Sequence, residues 1–287
     1  MSYALPEMPV VTESRSRGCF LFSPLGCIFS AITGIVGCGC LAIVGPIVGL
    51  GALLALLFTT GQTRTGSERV PLENVMRLEV VDDVATVTLR SGPQNAVLVD
   101  YSLTAYGFSG ANARANLANM RVVAERRSDG TIGVYLDDAA VDFSFYDLSL
   151  EITVPRNMER VFIEAGGDVR VEGVSADFEI FSDGDDLTLQ DVEGRFVLQT
   201  DLFGGIVWSG SLAPDTQNRI ETDSGDVRLT FLTRPDVALT VNTRSGRVEG
   251  CPEQPAARLR CETMLGGGGA ALDVDTGSGI IRLSTPR

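Results

Sequence analysis

The chain has 287 residues and a net charge of -14, with 37 acidic side chains against 23 basic ones and no His. Every basic residue is Arg, so the usual general base, the commonest metal ligand and the lysine of Schiff-base chemistry are all missing. The acidity repels nucleic-acid phosphate and argues against a DNA or RNA partner.

Residues 1–17 are polar, contain Pro6 and Pro9, and read as a disordered tail. No charge falls between Arg17 and Arg64, and Phe20 to Leu57 is nearly continuous apolar sequence. About 20 apolar residues span a bilayer as a helix, so 18–60 is predicted to be an N-terminal transmembrane helical segment. It is long for one span. Either one helix overhangs, or two short helices turn near Gly37 to Cys40; each half of such a hairpin would be short, which favours the single span. Gly45 and Gly49 form a G-x-x-x-G pair that permits close helix packing. Arg15 and Arg17 on one side and Arg64 and Arg69 on the other leave orientation unfixed by charge. Cys19, Cys27, Cys38 and Cys40 read as packing residues, with acylation open for Cys19. Residues 61–73 read as a polar linker.

A β-rich lead-in occupies 74–160. Val75 to Val81 and Val84 to Leu89 flank Asp82-Asp83 as a candidate hairpin. Val97 to Tyr106 alternates as a strand, Ala111 to Met120 is the soluble helix candidate, and Ser128-Asp129-Gly130 is a hairpin turn. Val141 to Val154 is a further strand, ended by Pro155.

A repeat then fills 161–287. Short strings begin at Gly167, Asp185, Gly204, Gly225, Gly246 and Gly279, giving steps of 18, 19, 21, 21 and 33. Each is a small or acidic turn leading into an apolar-x-apolar strand, such as Gly225-Asp-Val-Arg-Leu229. A second strand completes the unit: Phe178-x-Ile180, Phe196-x-Leu198, Leu239-x-Val241 and Leu272-x-Val274. Period two places these side chains on one face, and a spacing near 20 residues marks stacked units that share a core. The predicted fold is all-β: a single-stranded β-helix or β-solenoid of about six short coils behind the β-rich lead-in.

These features together resemble the bacterial "putative adhesin" β-strand-repeat family, a domain of unknown function, with this chain as a membrane-anchored member. The features are the Ala/Asn helix, the Asp-Gly hairpin, Leu148-Ser-Leu-Glu-Ile-Thr-Val-Pro155, the recurring Gly-Asp-Val turns and the closing Asp273-Val-Asp-Thr-Gly-Ser-Gly-Ile-Ile-Arg-Leu283. The resemblance covers roughly 74–287 and implies a β-helix-like domain, often tethered by an N-terminal helix, with no catalytic residues to carry over.

The last step is 33 where its neighbours are 21, and the extra residues hold Cys251 and Cys261, the only cysteines beyond the apolar segment. A disulfide between them is predicted. It would close a small loop, stabilise by about 2–3 kcal/mol and favour an oxidising compartment. Asp168, Asp186 and Asp226 recur with the repeat. They read first as turn residues and secondarily as calcium candidates, and no EF-hand or nonapeptide calcium motif accompanies them. Carboxylates that repeat with the coils lack the single special site a polysaccharide-cleaving enzyme needs. Trp208 falls at an inward register position. Tyr101, Tyr106, Phe143, Phe145 and Tyr146 also read as strand-face residues. The expectation is therefore a non-enzymatic cell-envelope protein without cofactors, held in the membrane by one span, its C-terminal domain extracytoplasmic. Its role would be adhesin-like binding of envelope polysaccharide or protein. The alternatives are a sensor or accessory subunit of a membrane complex and, less favoured, a polysaccharide-active enzyme.

Overall fold

The computed structural model describes residues 60–72, 76–92, 95–138, 145–183, 186–201, 204–251 and 259–286. The predicted apolar segment 18–60, with Gly45, Gly49 and the first four cysteines, lies outside them but for its last residue, Thr60. The single-span cell-membrane expectation is corrected by what they contain. Among the described residues no helix is long and apolar enough to cross a membrane, and the one helix, α1 (Gly110–Asn119), has only 10 residues.

The rest is β. The strands are β1 (Thr60–Pro71), β2 (Arg77–Asp82), β3 (Thr86–Gly92), β4 (Ala96–Gly107), β5 (Arg121–Arg126), β6 (Thr131–Asp137), β7 (Tyr146–Pro155), β8 (Asn157–Ala165) and β9 (Val169–Glu172). They continue as β10 (Ser175–Ser182), β11 (Leu187–Thr200), β12 (Ile206–Leu212), β13 (Gln217–Thr222), β14 (Val227–Phe231), β15 (Val237–Glu249), β16 (Arg260–Leu265) and β17 (Ala270–Ser284). All join one 17-stranded sheet that wraps around a single core running from Val70 to Leu283.

Two parallel ladders face each other across that core. The first runs β6, β2, β8, β10, the second half of β11, β13, the first half of β17 and the first half of β15. The second runs β7, β3, β9, the first half of β11, β12, β14, the second half of β17 and the second half of β15. The chain passes from a strand of the first ladder, round a corner, into the matching strand of the second. Alternation decides what faces in: along β13, Asn218, Ile220 and Thr222 are buried while Gln217, Arg219 and Glu221 face out.

Antiparallel strands close the ends. β5 lies on β6, β4 on β7, β1 on β4 and β16 on β15. Residues 61–71, read from sequence as part of a linker, thus belong with Thr60 to a strand paired along its full length from Thr60–Gly107 to Pro71–Ala96. Asp82-Asp83 is not a hairpin turn either. It is a corner, with β2 in one ladder and β3 in the other. The Ser128-Asp129-Gly130 turn does form a hairpin, with Gly130 at φ 85 and the Asp129 carboxylate accepting from the Thr131 N–H at 2.9 Å.

Cys251 and Cys261 are bonded and buried, with a Cα separation of 6.1 Å. The bridge ties the far end of β15 to the start of β16. Reducing it in the folded protein is expected to cost about 2–3 kcal/mol on the loop-entropy account. Denaturant titration with and without reductant, against a Cys251→Ser/Cys261→Ser double variant, checks this.

Candidate functional site: a polar groove along the corner column

Every strand of the first ladder from β2 to β15 ends at the corner in one register: Asp82, Ala165, Ser182, Thr200, Thr222, Thr276 and Thr243. All seven are buried. A small hydroxyl at such a position can reach the backbone of the turn it precedes, which answers the cost of burying it. Thr200 and Thr222 both donate to the Gly204 carbonyl at 2.9 Å, Thr276 to Gly225 at 3.2 Å and Ser182 to Gly167 at 3.2 Å. This column buckles the two ladders together.

Outside it lies an open groove of about 420 Å³. Its walls are Gln199 and Asp201, Glu221 and Asp223, Asp275 and Gly277, and Asn242 and Arg244, taken in stacking order. Thr200, Thr222, Thr276 and Thr243 form its floor. Because strands stack about 4.8 Å apart, side chains of like kind recur along it at that interval.

Charge on the flanking walls is mostly paired. Arg170 bonds Glu172, Arg160 bonds Glu179, Arg247 bonds Glu249, and Arg282 bridges Asp226 and Glu249. In the groove, Glu221 is held by Arg219. Asp201, Asp223 and Asp275 make no ion pair among the described residues, and Asp201 accepts only a side-chain amide bond from Gln199 at 3.3 Å. The groove is therefore rich in carboxylate and amide groups, over a floor whose own hydrogen bonds are already made.

The sequence-derived residues fall elsewhere. Asp168, Asp186 and Asp226 do share one outer column, as the repeat predicts. Each carboxylate accepts a backbone N–H from the neighbouring coil: Asp168 from Asp186 at 3.0 Å, Asp186 from Gly205 at 2.9 Å, and Asp226 from Ile280 at 2.8 Å. The Ile280 N–H, helped by the Arg282 guanidinium, holds the Asp226 carboxyl below the usual range. Among the described residues no group of three potential ligands is placed to hold a metal ion. Trp208 points inward and is buried. Tyr106 donates to Asp147 at 2.5 Å, and Tyr146 lies half-buried over Asp82. Phe143 and Asp185 lie outside the described residues.

Sequence reasoning missed Asp82 and Asn218. Asp82 occupies the column that hydroxyls fill in later coils. Its carboxylate accepts from the Val84 and Ala85 N–H groups at 2.9 and 2.7 Å and from the Tyr146 hydroxyl at 3.4 Å. Burial pushes its carboxyl above the usual value, and the two N–H groups counter only part of that. Folding thus binds a proton more tightly here, so stability falls as pH rises from the unfolded value of 3.8 through the folded one. Asp82→Asn keeps an acceptor without the charge. Measured by urea unfolding, it is expected to gain on the wild type at pH 7 relative to pH 3; an equal difference at both pH values would contradict the burial effect.

No family model matches the sequence, and no curated protein matches it. Among solved structures, a putative cell adhesion protein from Clostridium sporogenes is 9% identical, with a TM-score of 0.41 over 78% of this chain and 100% of its own. A putative adhesin from Parabacteroides distasonis is 9% identical, with a TM-score of 0.30 over 77% of this chain and 97% of its own. A putative lipid binding protein from the same species is 9% identical, with a TM-score of 0.25 over the same shares. At TM-scores below 0.5, these neighbours' names carry no argument about what this chain binds.

Proposed function

We propose that this chain is a non-enzymatic binding module, a β-solenoid whose ligand surface is the corner groove. One observation carries the reading. Charge on the flanking walls is mostly paired, whereas among the described residues Asp201, Asp223 and Asp275 line the groove without ion pairs, Asp275 lying only within the longer-range field of Arg219. Three carboxylates left facing solvent over a hydrogen-bonded floor suit a ligand that brings hydroxyls and positive charge along the stacking direction. A linear glycan bearing free amino groups is the simplest such polymer. Charge-assisted bonds from its ammonium groups would replace the missing Arg partners. Polyanions are disfavoured by the same carboxylates.

The test is calorimetry with glucosamine oligomers, free and N-acetylated. The free amine form is expected to bind, the acetylated form more weakly. An Asp223→Asn/Asp275→Asn double variant should lose about tenfold or more in affinity, the scale of one lost charge-assisted hydrogen bond. No binding of either oligomer, or binding unchanged by the double substitution, would overturn the reading.

A further inference from the structure

Stack order departs from chain order at two places: β6 and β7 lie outside β2 and β3, which precede them in the chain, and the C-terminal strand is inserted among earlier ones. β17 follows β15 in the chain yet lies between β13–β14 and β15 in space. After β15 the chain turns back as β16 on β15's outer edge. It then crosses the start of β15 through Gly266–Gly269 and runs forward again on the inner side.

Backbone bonds from Asp215 N–H to the Gly269 carbonyl at 2.8 Å, from Ala270 N–H to the Asp236 carbonyl at 3.0 Å and from Ala271 N–H to the Thr216 carbonyl at 2.9 Å hold the crossing, and two side chains add to them. The Asp236 carboxylate accepts from Gly267 N–H at 2.6 Å and Gly269 N–H at 3.1 Å. Buried Asn218 donates to the Ala271 carbonyl at 2.9 Å. The crossing loop itself is all glycine, with Gly266 and Gly268 at positive φ.

Both neighbours address β17 in a single register. Gln217 to Thr222 face Ala271 to Thr276, and Ala238 to Thr243 face the same six residues. In the second ladder Val227 and Val248 both face Ile281. β13–β14 and β15 are therefore in register with each other. The seam between them is compatible with two states, strand in or strand out, each keeping Ile220, Val241, Val227 and Val248 inside.

We infer that β17 is an exchangeable insertion strand, and that the seam accepts residues 270–284 of a second copy of this chain. The occupant is specified by fit. A Cβ at Gly277 would lie 2.3 Å from the Asp223 carbonyl oxygen, and one at Gly279 would lie 2.1 Å from that of Gly225. A strand lacking glycine at both positions does not enter. This chain carries the matching strand, and exchange of an identical element is a low-cost route to a dimer. In the exchanged pair the second copy supplies Asp275, so the groove is built from two chains. The inference does not depend on what the groove binds.

The test uses the full-length protein and a fluorescent peptide of residues 268–286. Saturable capture is expected, with none for the peptide carrying Gly277→Ala and Gly279→Ala. Asp236→Asn, which loosens the crossing, should speed capture about tenfold. In the wild type, hydrogen exchange at the β17 amides should run at least about tenfold faster than at those of β13. Protection of β17 equal to that of β13, no capture by the wild type, or equal capture of the alanine peptide would each overturn the inference, whatever Asp236→Asn does to folding.

Discussion

Trp208→Ala is expected to destabilise the domain by about 3–5 kcal/mol, and Trp208→Phe by only about 1–2 kcal/mol. The indole is 1% exposed and sits in a file of rings through the core. Phe178 stacks on Phe196 at 5.2 Å. Trp208 meets Phe196 edge-on at 5.5 Å, then Phe231 at 5.3 Å. Such ring pairs add about 0.5–1.5 kcal/mol each beyond burial. Truncation to alanine leaves a cavity that cannot collapse, because backbone ladders fix both walls. A second effect offsets part of the loss in both variants. The Trp208 indole N–H is buried with no hydrogen-bond partner among the described residues, and an unmet buried donor costs about 1–3 kcal/mol. Either substitution removes that cost; only phenylalanine also keeps a ring between Phe196 and Phe231. Urea unfolding of the two variants checks this. Equal losses would mean that a smaller ring at this position recovers none of the packing along the file.

The repeat was legible because its signal is local. All six strings starting between Gly167 and Gly279 enter one ladder in a single register, Val169 opposite Leu187, then Ile206, Val227, Ile281 and Val248. The partner strands with Phe178, Phe196, Leu272 and Leu239 do the same in the other ladder. Corner glycines and alternating apolar residues carry that information within a few positions of each other.

Three further features were not legible, for related reasons. β2 with β3 and β6 with β7 add two more strand pairs to the ladders, yet the sequence around them lacks the Gly-Asp signature. Ala85 and Ser149 stand near where later coils have glycine or aspartate, and β4, α1 and β5 separate the two pairs in the chain. The place of β17 was hidden because its two neighbours share one register, so periodicity fits the chain order and the observed order equally well. The polar groove was hidden because Asp201, Asp223 and Asp275 look like any turn residue. Only the fold reveals that Asp168, Asp186 and Asp226 spend their carboxylates on backbone N–H groups while these three do not.

Gly279→Ala should cost about 3–4 kcal/mol, although it adds a single methyl group. Gly279 has φ +153, a conformation that L side chains rarely adopt, and holding one there costs about 1–3 kcal/mol. Its Cβ would also lie 2.1 Å from the Gly225 carbonyl oxygen of the neighbouring coil. That atom is backbone in a paired ladder and cannot rotate away, so overpacking adds about 1–3 kcal/mol more. Gly246 tests the steric part by itself, because its Cβ would meet the Gly279 carbonyl oxygen at 1.9 Å without a positive φ. Gly246→Ala should therefore lose less than Gly279→Ala. Gly110→Ala, in the first turn of α1 with no atom within 4 Å of the added carbon, should be neutral or slightly stabilising. The site of the damage matters as much as its size. A clash at Gly279 acts on the seam that β17 fills, so the Gly279→Ala loss should appear as rapid hydrogen exchange in β17 while β9 to β12 stay protected. Uniform loss of protection along the stack would mean that the seam cannot open without the rest of the domain.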